Sequence, residues 1–177
     1  MAQLGCRCGE RMYTSDDPCP YIVDIYYKAE ADKAIGDDPE ITLHNFMLGW
    51  DEKNNCQREY MERPEPVEYW FCPVCKRVYE VQCFPGGRWL RIYKKSDSTK
   101  SEGHDGWKQI YVITDMDVYV AYEKNEDIRL SDYLQQHDSV LYYLSPDEKT
   151  VHAVDKATAK VLFSYELEDS WSPSAEE

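Results

Sequence analysis

Two pairs of cysteines constrain this chain more tightly than any other feature in it. Cys6 and Cys8 flank a single residue near the N-terminus, Cys72 and Cys75 flank two at mid-chain, and Cys8 and Cys72 are 64 positions apart. Thiolate is well matched to zinc, and a structural zinc site takes four ligands in a tetrahedron. Cys72-Pro73-Val74-Cys75 has the two-residue gap of a zinc knuckle. It lies between two runs of strand character, Tyr69-Trp70-Phe71 and Val78-Tyr79-Glu80-Val81. Cys6-Arg7-Cys8-Gly9 has a shorter gap, but Gly9 admits the positive φ that turns backbone amides toward sulfur. The expectation is one structural Zn2+ per chain held by Cys6, Cys8, Cys72 and Cys75, with Cys19 as the substitute for Cys6 or Cys8. Four thiolates leave no open position for water or substrate, so the metal serves folding and not catalysis.

Two other readings of the thiols compete. A redox dithiol of thioredoxin type opens a helix after a strand, whereas Lys76-Arg77-Val78-Tyr79-Glu80-Val81 has strand character. A disulfide framework sits badly with seven cysteines and with residues 1–20, which lack the apolar stretch of an export signal. Cys19, Cys56 and Cys83 read as buried small hydrophobes.

At these residues the chain resembles a family of small cytosolic bacterial proteins with a split zinc ribbon. The parts are Cys6-Arg7-Cys8-Gly9, an insertion with a further cysteine (Cys56), and Trp70-Phe71-Cys72-Pro73-Val74-Cys75. The resemblance covers roughly residues 1–93 and departs at Lys76, where the family pattern has Gly. It implies a zinc ribbon with a helical insertion. Some proteins of that kind are immunity partners of secreted toxins, which implies binding and not catalysis.

Pattern fills in the rest. Tyr21 to Tyr27 is β-branched and aromatic, and Lys28 to Ile35 is an Ala-rich helical stretch stopped by Gly36. Asp38-Pro39-Glu40 has the form of a helix start. Leu43, Phe46, Met47 and Trp50 follow at helical spacing, and a second helical stretch spans Glu52 to Glu62, so residues 37–63 read as a helical insertion. Strand Trp89 to Tyr93 precedes a polar stretch, residues 94–106, read as a loop or linker. Beyond it, residues 107–169 read as an antiparallel β-rich region. Strands Ile110 to Thr114 and Val118 to Glu123 flank an Asp115-Met116-Asp117 turn, a short helix covers Tyr133 to Gln136, and three strands follow. Residues 170–177 read as a frayed tail. The predicted class is α+β, a split zinc ribbon with a helical insertion plus an antiparallel meander, with the two halves separate or sharing one core.

Charge narrows the function. The 177 residues carry a net charge of −14, which repels nucleic acid and anionic membranes and attracts a basic protein. The charge is uneven: residues 76–108 hold eight Lys/Arg against four acids, the remainder 12 against 30. That basic segment suits either an anionic ligand or the chain's own carboxylates. No window approaches the ~20 apolar residues of a membrane span, and the expected location is cytoplasmic. None of the four histidines falls in a metalloprotease or i, i+4 pattern, and there is no nucleophile elbow or phosphate-cradling glycine loop. The chain therefore reads as a non-catalytic, acidic binding protein, an immunity or inhibitor partner of a basic toxin or enzyme. Its expected contacts are Asp115, Asp117, Tyr119, Tyr122, Glu123, Glu126, Asp127 and Asp132. A zinc-ribbon adaptor or regulator is the alternative, as is a nucleic-acid-binding module that uses residues 76–108. The sequence does not specify the oligomeric state.

Overall fold

The structure is a computed structural model. It describes residues 3–16, 18–48, 50–51, 59–60, 65–82, 88–97, 99, 104–123 and 128–171, and of residues 48, 50, 51, 59, 60, 82 and 122 only the backbone. The chain opens with a hairpin, β1 (Gln3–Gly5) and β2 (Arg11–Tyr13), then strand β3 (Ile22–Tyr27). Helices α1 (Lys28–Asp37) and α2 (Leu43–Leu48) follow, with the small ribbon β4 (Trp50–Asp51) and β5 (Glu59–Tyr60). Strands β6 (Val67–Phe71), β7 (Val78–Gln82), β8 (Arg88–Ser96) and β9 (Lys108–Thr114) come next. Helices α3 (Asp115–Glu123) and α4 (Leu130–Gln136) precede β10 (Val140–Leu144), β11 (Thr150–Asp155) and β12 (Val161–Ser170).

Eight strands close into one antiparallel barrel, in the order β10-β11-β12-β8-β7-β6-β3-β9 and back to β10. This overturns the predicted α+β ribbon with a helical insertion. The strands expected to form a ribbon, β6 and β7, are staves of the barrel. Four of the eight strands come from each side of the stretch 97–107. Two pairings join the two sets of four into the ring: β8 with β12, which sets Tyr93 opposite Leu167, and β3 with β9, which sets Tyr26 opposite Tyr111. A closed sheet has no free edge to template aggregation.

Side chains alternate between two faces along each strand. On β3, Tyr26 faces outward to the helices, where Phe46 meets its ring at 4.8 Å between centroids. Ile41, Leu43, Ile113, Leu130 and Tyr133 complete that outer cluster. Its neighbours Ile25 and Tyr27 face the interior with Ile110, Leu144 and Val151. A third cluster lies on the outer face of β6, β7 and β8. There Trp70, Tyr79 and Ile92 sit side by side in register and receive Met12 and Cys6 from the N-terminal hairpin.

Three local expectations are corrected. Asp115-Met116-Asp117 is not a turn between strands but the first turn of α3, and Val118 to Glu123 is helix. Thr114 caps it: its hydroxyl accepts the Asp117 amide (3.1 Å) and donates to the Asp117 carboxylate (2.7 Å). Asp38 ends α1 and does not start a helix, because its amide donates to the Ala34 carbonyl. The helix after it starts at Leu43, with Thr42 accepting the Asn45 amide at 3.2 Å. Within the expected second helix, Glu52 to Glu62, residues 59–60 form strand β5, and residues 52–58 and 61–62 lie outside the described residues.

Two tight turns join the last three strands. In the first, the Ser145 hydroxyl donates to Asp147 (2.7 Å). In the second, Asp155 accepts the Thr158 amide (2.7 Å). In the loop before β9, Trp107 lies flat between His104 and His152, at 4.5 and 4.0 Å between ring centroids, which seats residues 104–107 on the barrel.

Met12 is fully buried and joins the hairpin to the barrel's outer face. Met12→Ala is expected to destabilise the fold by about 2–5 kcal/mol, measured by denaturant unfolding. A cost below about 0.5 kcal/mol, the ordinary range of surface substitutions, would show the hairpin to be a loose appendage.

Candidate metal centre

The two tight connections that carry the cysteine pairs face each other. The first joins β1 to β2. The Cys6 amide donates to Glu10 O (2.8 Å), and the Gly9 amide donates to Cys6 O (2.9 Å) with Gly9 at φ 95°. The second joins β6 to β7. The Cys72 amide donates to Arg77 O (2.9 Å), and the Lys76 amide donates to Cys72 O (3.0 Å) with Lys76 at φ 62°. Both turns thus place a left-handed residue directly after the second cysteine. Lys76 stands where the resemblance expects Gly and takes the backbone conformation that Gly adopts more readily. Its ammonium donates to Pro73 O (2.6 Å) and lies 5.4 Å from the centre of the Phe71 ring, which offsets part of the backbone cost.

The four sulfurs all lie within 4.8 Å of one another. Cys6 and Cys75 are 3.3 Å apart, Cys6 and Cys8 3.4 Å, and Cys8 and Cys72 3.7 Å. None of these is a disulfide, whose sulfurs sit about 2.05 Å apart. A metal–sulfur bond of about 2.3 Å gives a tetrahedron with edges of about 3.8 Å, so the cluster has the size of a four-thiolate metal site. Cys19, the expected substitute ligand, takes no part: it is buried and bonded through Sγ to Tyr13 O at 3.5 Å. Cys56 and Cys83 lie outside the described residues.

Donors surround the sulfurs. The Cys8 amide points at Cys6, the Val74 and Cys75 amides at Cys72, and the Arg77 amide and guanidinium at Cys75. The Tyr79 hydroxyl donates to Cys6 Sγ (3.1 Å) and accepts the Arg7 amide (2.9 Å), so one phenol ties the first turn to strand β7. Burial pushes the Cys6 thiol up to about 12 and raises Cys72 as well. Burial opposes ionisation at Cys75 too, but the amide and guanidinium of Arg77, with the Cys6 and Cys72 thiols, hold it down at about 6. Four thiols packed this closely, two of them buried, cannot all ionise beside one another without a cation, and a bound divalent metal would supply that charge. Arg77 extends the tie: its guanidinium donates to both oxygens of Glu168 on β12 (2.6 and 2.9 Å). Arg7, between the two N-terminal cysteines, pairs with Asp169 on the same strand.

A family model described as a domain of unknown function, DUF8617, matches residues 2–120. The chain belongs to the DUF8617 family. No curated protein matches it, and no solved structure does. The DUF8617 match holds both cysteine turns, crosses the polar stretch 94–106, and ends inside α3, short of the strands β10 to β12 that complete the barrel. No helix among the described residues is long and apolar enough to cross a membrane.

The expected partner-binding residues fall around α3 and α4. Asp115 starts α3, and Tyr119 and Glu123 are exposed on it. Asp117 is engaged within the fold by Thr114 and by the Tyr133 hydroxyl (2.9 Å). Asp132 pairs with Arg129 at 3.0 Å. The Tyr122 side chain, Glu126 and Asp127 lie outside the described residues. Met116 and Val120, which the sequence did not single out, join Tyr119 at i, i+3, i+4 spacing, with exposures of 41, 42 and 39%. Misreading α3 as strand hid that shared face.

Much of the basic segment is engaged by the chain's own carboxylates and aromatic rings. Arg77 binds Glu168, and Arg91 lies between Glu148 (2.9 Å) and the half-buried Glu80 (3.6 Å), whose carboxyl burial raises. Lys95 lies over the Phe163 ring, and Arg88 over Trp171.

Tyr79→Phe removes the hydroxyl that touches both the cluster and the Arg7 amide. It is expected to weaken metal affinity by about 10–100-fold, read by competition with a chromophoric chelator. Unchanged affinity would mean that the phenol is packing alone.

Proposed function

We propose that this chain is a non-catalytic binding protein whose barrel is stapled by one structural Zn2+ and whose acidic surface receives a basic protein partner. The observation that carries the reading is the four-sulfur cluster. Thiolates alone, at tetrahedral spacing, with amide and phenol donors to sulfur, are the donor set of a closed zinc site, which keeps no position for substrate. Structural zinc contributes apparent binding energies of about 10–16 kcal/mol in finger peptides. Here the ion fixes residues 6–8 against residues 72–75, with the hairpin's Met12 laid over Trp70 and Tyr79.

Charge and exposure support a protein partner. At −14 the chain attracts a basic surface and speeds its docking. Met116, Tyr119 and Val120 offer apolar anchorage on a helix whose charged residues are Asp115, Asp117 and Glu123. The nucleic-acid alternative loses support because Arg77 and Arg91 are held by the chain's own carboxylates. An immunity or inhibitor partner of a basic toxin fits the acidity and the resemblance to split-ribbon proteins.

Two experiments test the reading. Purified chain should carry one zinc, and Cys72→Ser and Cys75→Ser should each lose it and lower the thermal midpoint. One zinc per chain retained in both variants removes the assignment. Co-expression with a basic protein encoded beside this chain's gene should yield a salt-sensitive complex, which Met116→Lys with Val120→Lys abolishes. A failure of every such neighbour to bind at low salt counts against the partner reading.

A further inference from the structure

We infer that the cysteine cluster is also an oxidation site, at which peroxide replaces the metal with two disulfides that preserve the staple. The inference concerns the same four thiols as the zinc reading but needs only their arrangement. Four cysteines can pair in three ways. In one of them both bridges join one N-terminal and one mid-chain cysteine that are already neighbours: Cys6 with Cys75 at 3.3 Å and Cys8 with Cys72 at 3.7 Å. Pairing within each turn closes tight rings instead. Cys6 and Cys8 flank only Arg7, whose amide is fixed by the Tyr79 hydroxyl, and the second turn is fixed by the Cys72–Arg77 and Lys76–Cys72 backbone bonds. Only cross-turn pairing keeps residues 6–8 tied to residues 72–75 once the metal is gone.

The order of events follows from exposure. Cys6 and Cys72 are buried and Cys75 is half-buried, while Cys8 is exposed and is the thiolate an oxidant reaches. Cys8 attacks hydrogen peroxide and becomes a sulfenic acid, with release of hydroxide. The Cys72 thiolate then attacks the Cys8 sulfur, forms the S–S bond, and expels the second hydroxide. Two sulfurs have given up two electrons, and one peroxide has become two hydroxides. The metal keeps its charge, is left with two of four ligands, and dissociates. A second peroxide bridges Cys6 and Cys75 in the same way. Cys19 is buried beside Tyr13 O, apart from this exchange.

The test begins with a metal count on the purified full-length chain in a Cys56→Ser, Cys83→Ser background. The protein is then titrated with hydrogen peroxide, with metal release followed by a chromophoric chelator and bridges mapped by non-reducing peptide mass spectrometry. The expected result is a Cys8–Cys72 bridge first, Cys6–Cys75 second, metal loss in step with the first bridge, and a bridged metal-free chain that unfolds at higher denaturant than the reduced metal-free chain. Bridges within the turns, Cys6–Cys8 or Cys72–Cys75, or sulfinic acids without bridges, overturn the inference. Cys8→Ser should lose the Cys8–Cys72 peptide, and if that variant does not fold, the map of the parent chain still decides. The outcomes also separate this inference from the zinc reading. Cross-turn bridges in a chain purified without metal leave the inference standing and remove the zinc. A zinc-loaded chain that bridges within its turns does the reverse.

Discussion

Contact between two tight turns 64 positions apart organises the outer face of this barrel. Each turn is a backbone device of its own, with a left-handed residue after its second cysteine, Gly9 in one and Lys76 in the other. The sulfurs bring the two turns together, and the Tyr79 phenol holds the first of them to β7. Because the turns hang from β2 and from the β6–β7 connection, joining them lays the hairpin over Trp70, Tyr79 and Ile92. That surface would otherwise be an exposed apolar patch on the sheet. Arg77 and Arg7 carry the tie on to β12 through Glu168 and Asp169, so the cluster braces both the N-terminal hairpin and one of the strands that completes the ring.

The barrel separates duties by face. Its interior is aliphatic and tyrosine-lined, with Arg91 held between Glu80 and Glu148. One outer face takes the hairpin and the cluster, and another takes the four helices. Helix α3 carries Asp115 and Glu123 beside the exposed Met116, Tyr119 and Val120. A charged surface of that kind gains affinity from fast, steered encounter and from a few desolvated anchors. The proposed partner therefore needs nothing from the cysteine cluster beyond a scaffold that keeps its shape.

Much of this was legible in the sequence, and the limits have physical causes. Local patterns found most strands, since β-branched and aromatic runs such as Ile22–Tyr27 and Val140–Leu144 sit between turn residues. Cysteine spacing found all four members of the cluster, because ligand geometry is written in short gaps. Closure was not legible. The pairings of β8 with β12 and of β3 with β9 are set by side chains far apart in sequence, and a meander that closes reads the same as one that stays open. Helix α3 was missed for a different reason: Val118, Tyr119, Val120 and Tyr122 favour strand, but the Thr114–Asp117 cap and packing on the outer core prevail. Tyr79 gave no signal at all, because an alternating tyrosine in a strand looks the same whether its hydroxyl meets water or a thiolate.

The most direct test of the staple is zinc K-edge X-ray absorption on the purified chain. Four sulfur scatterers at about 2.3 Å in the first shell are the predicted result. A first shell containing nitrogen or oxygen, or only two sulfurs, would contradict a zinc bridging Cys6, Cys8, Cys72 and Cys75.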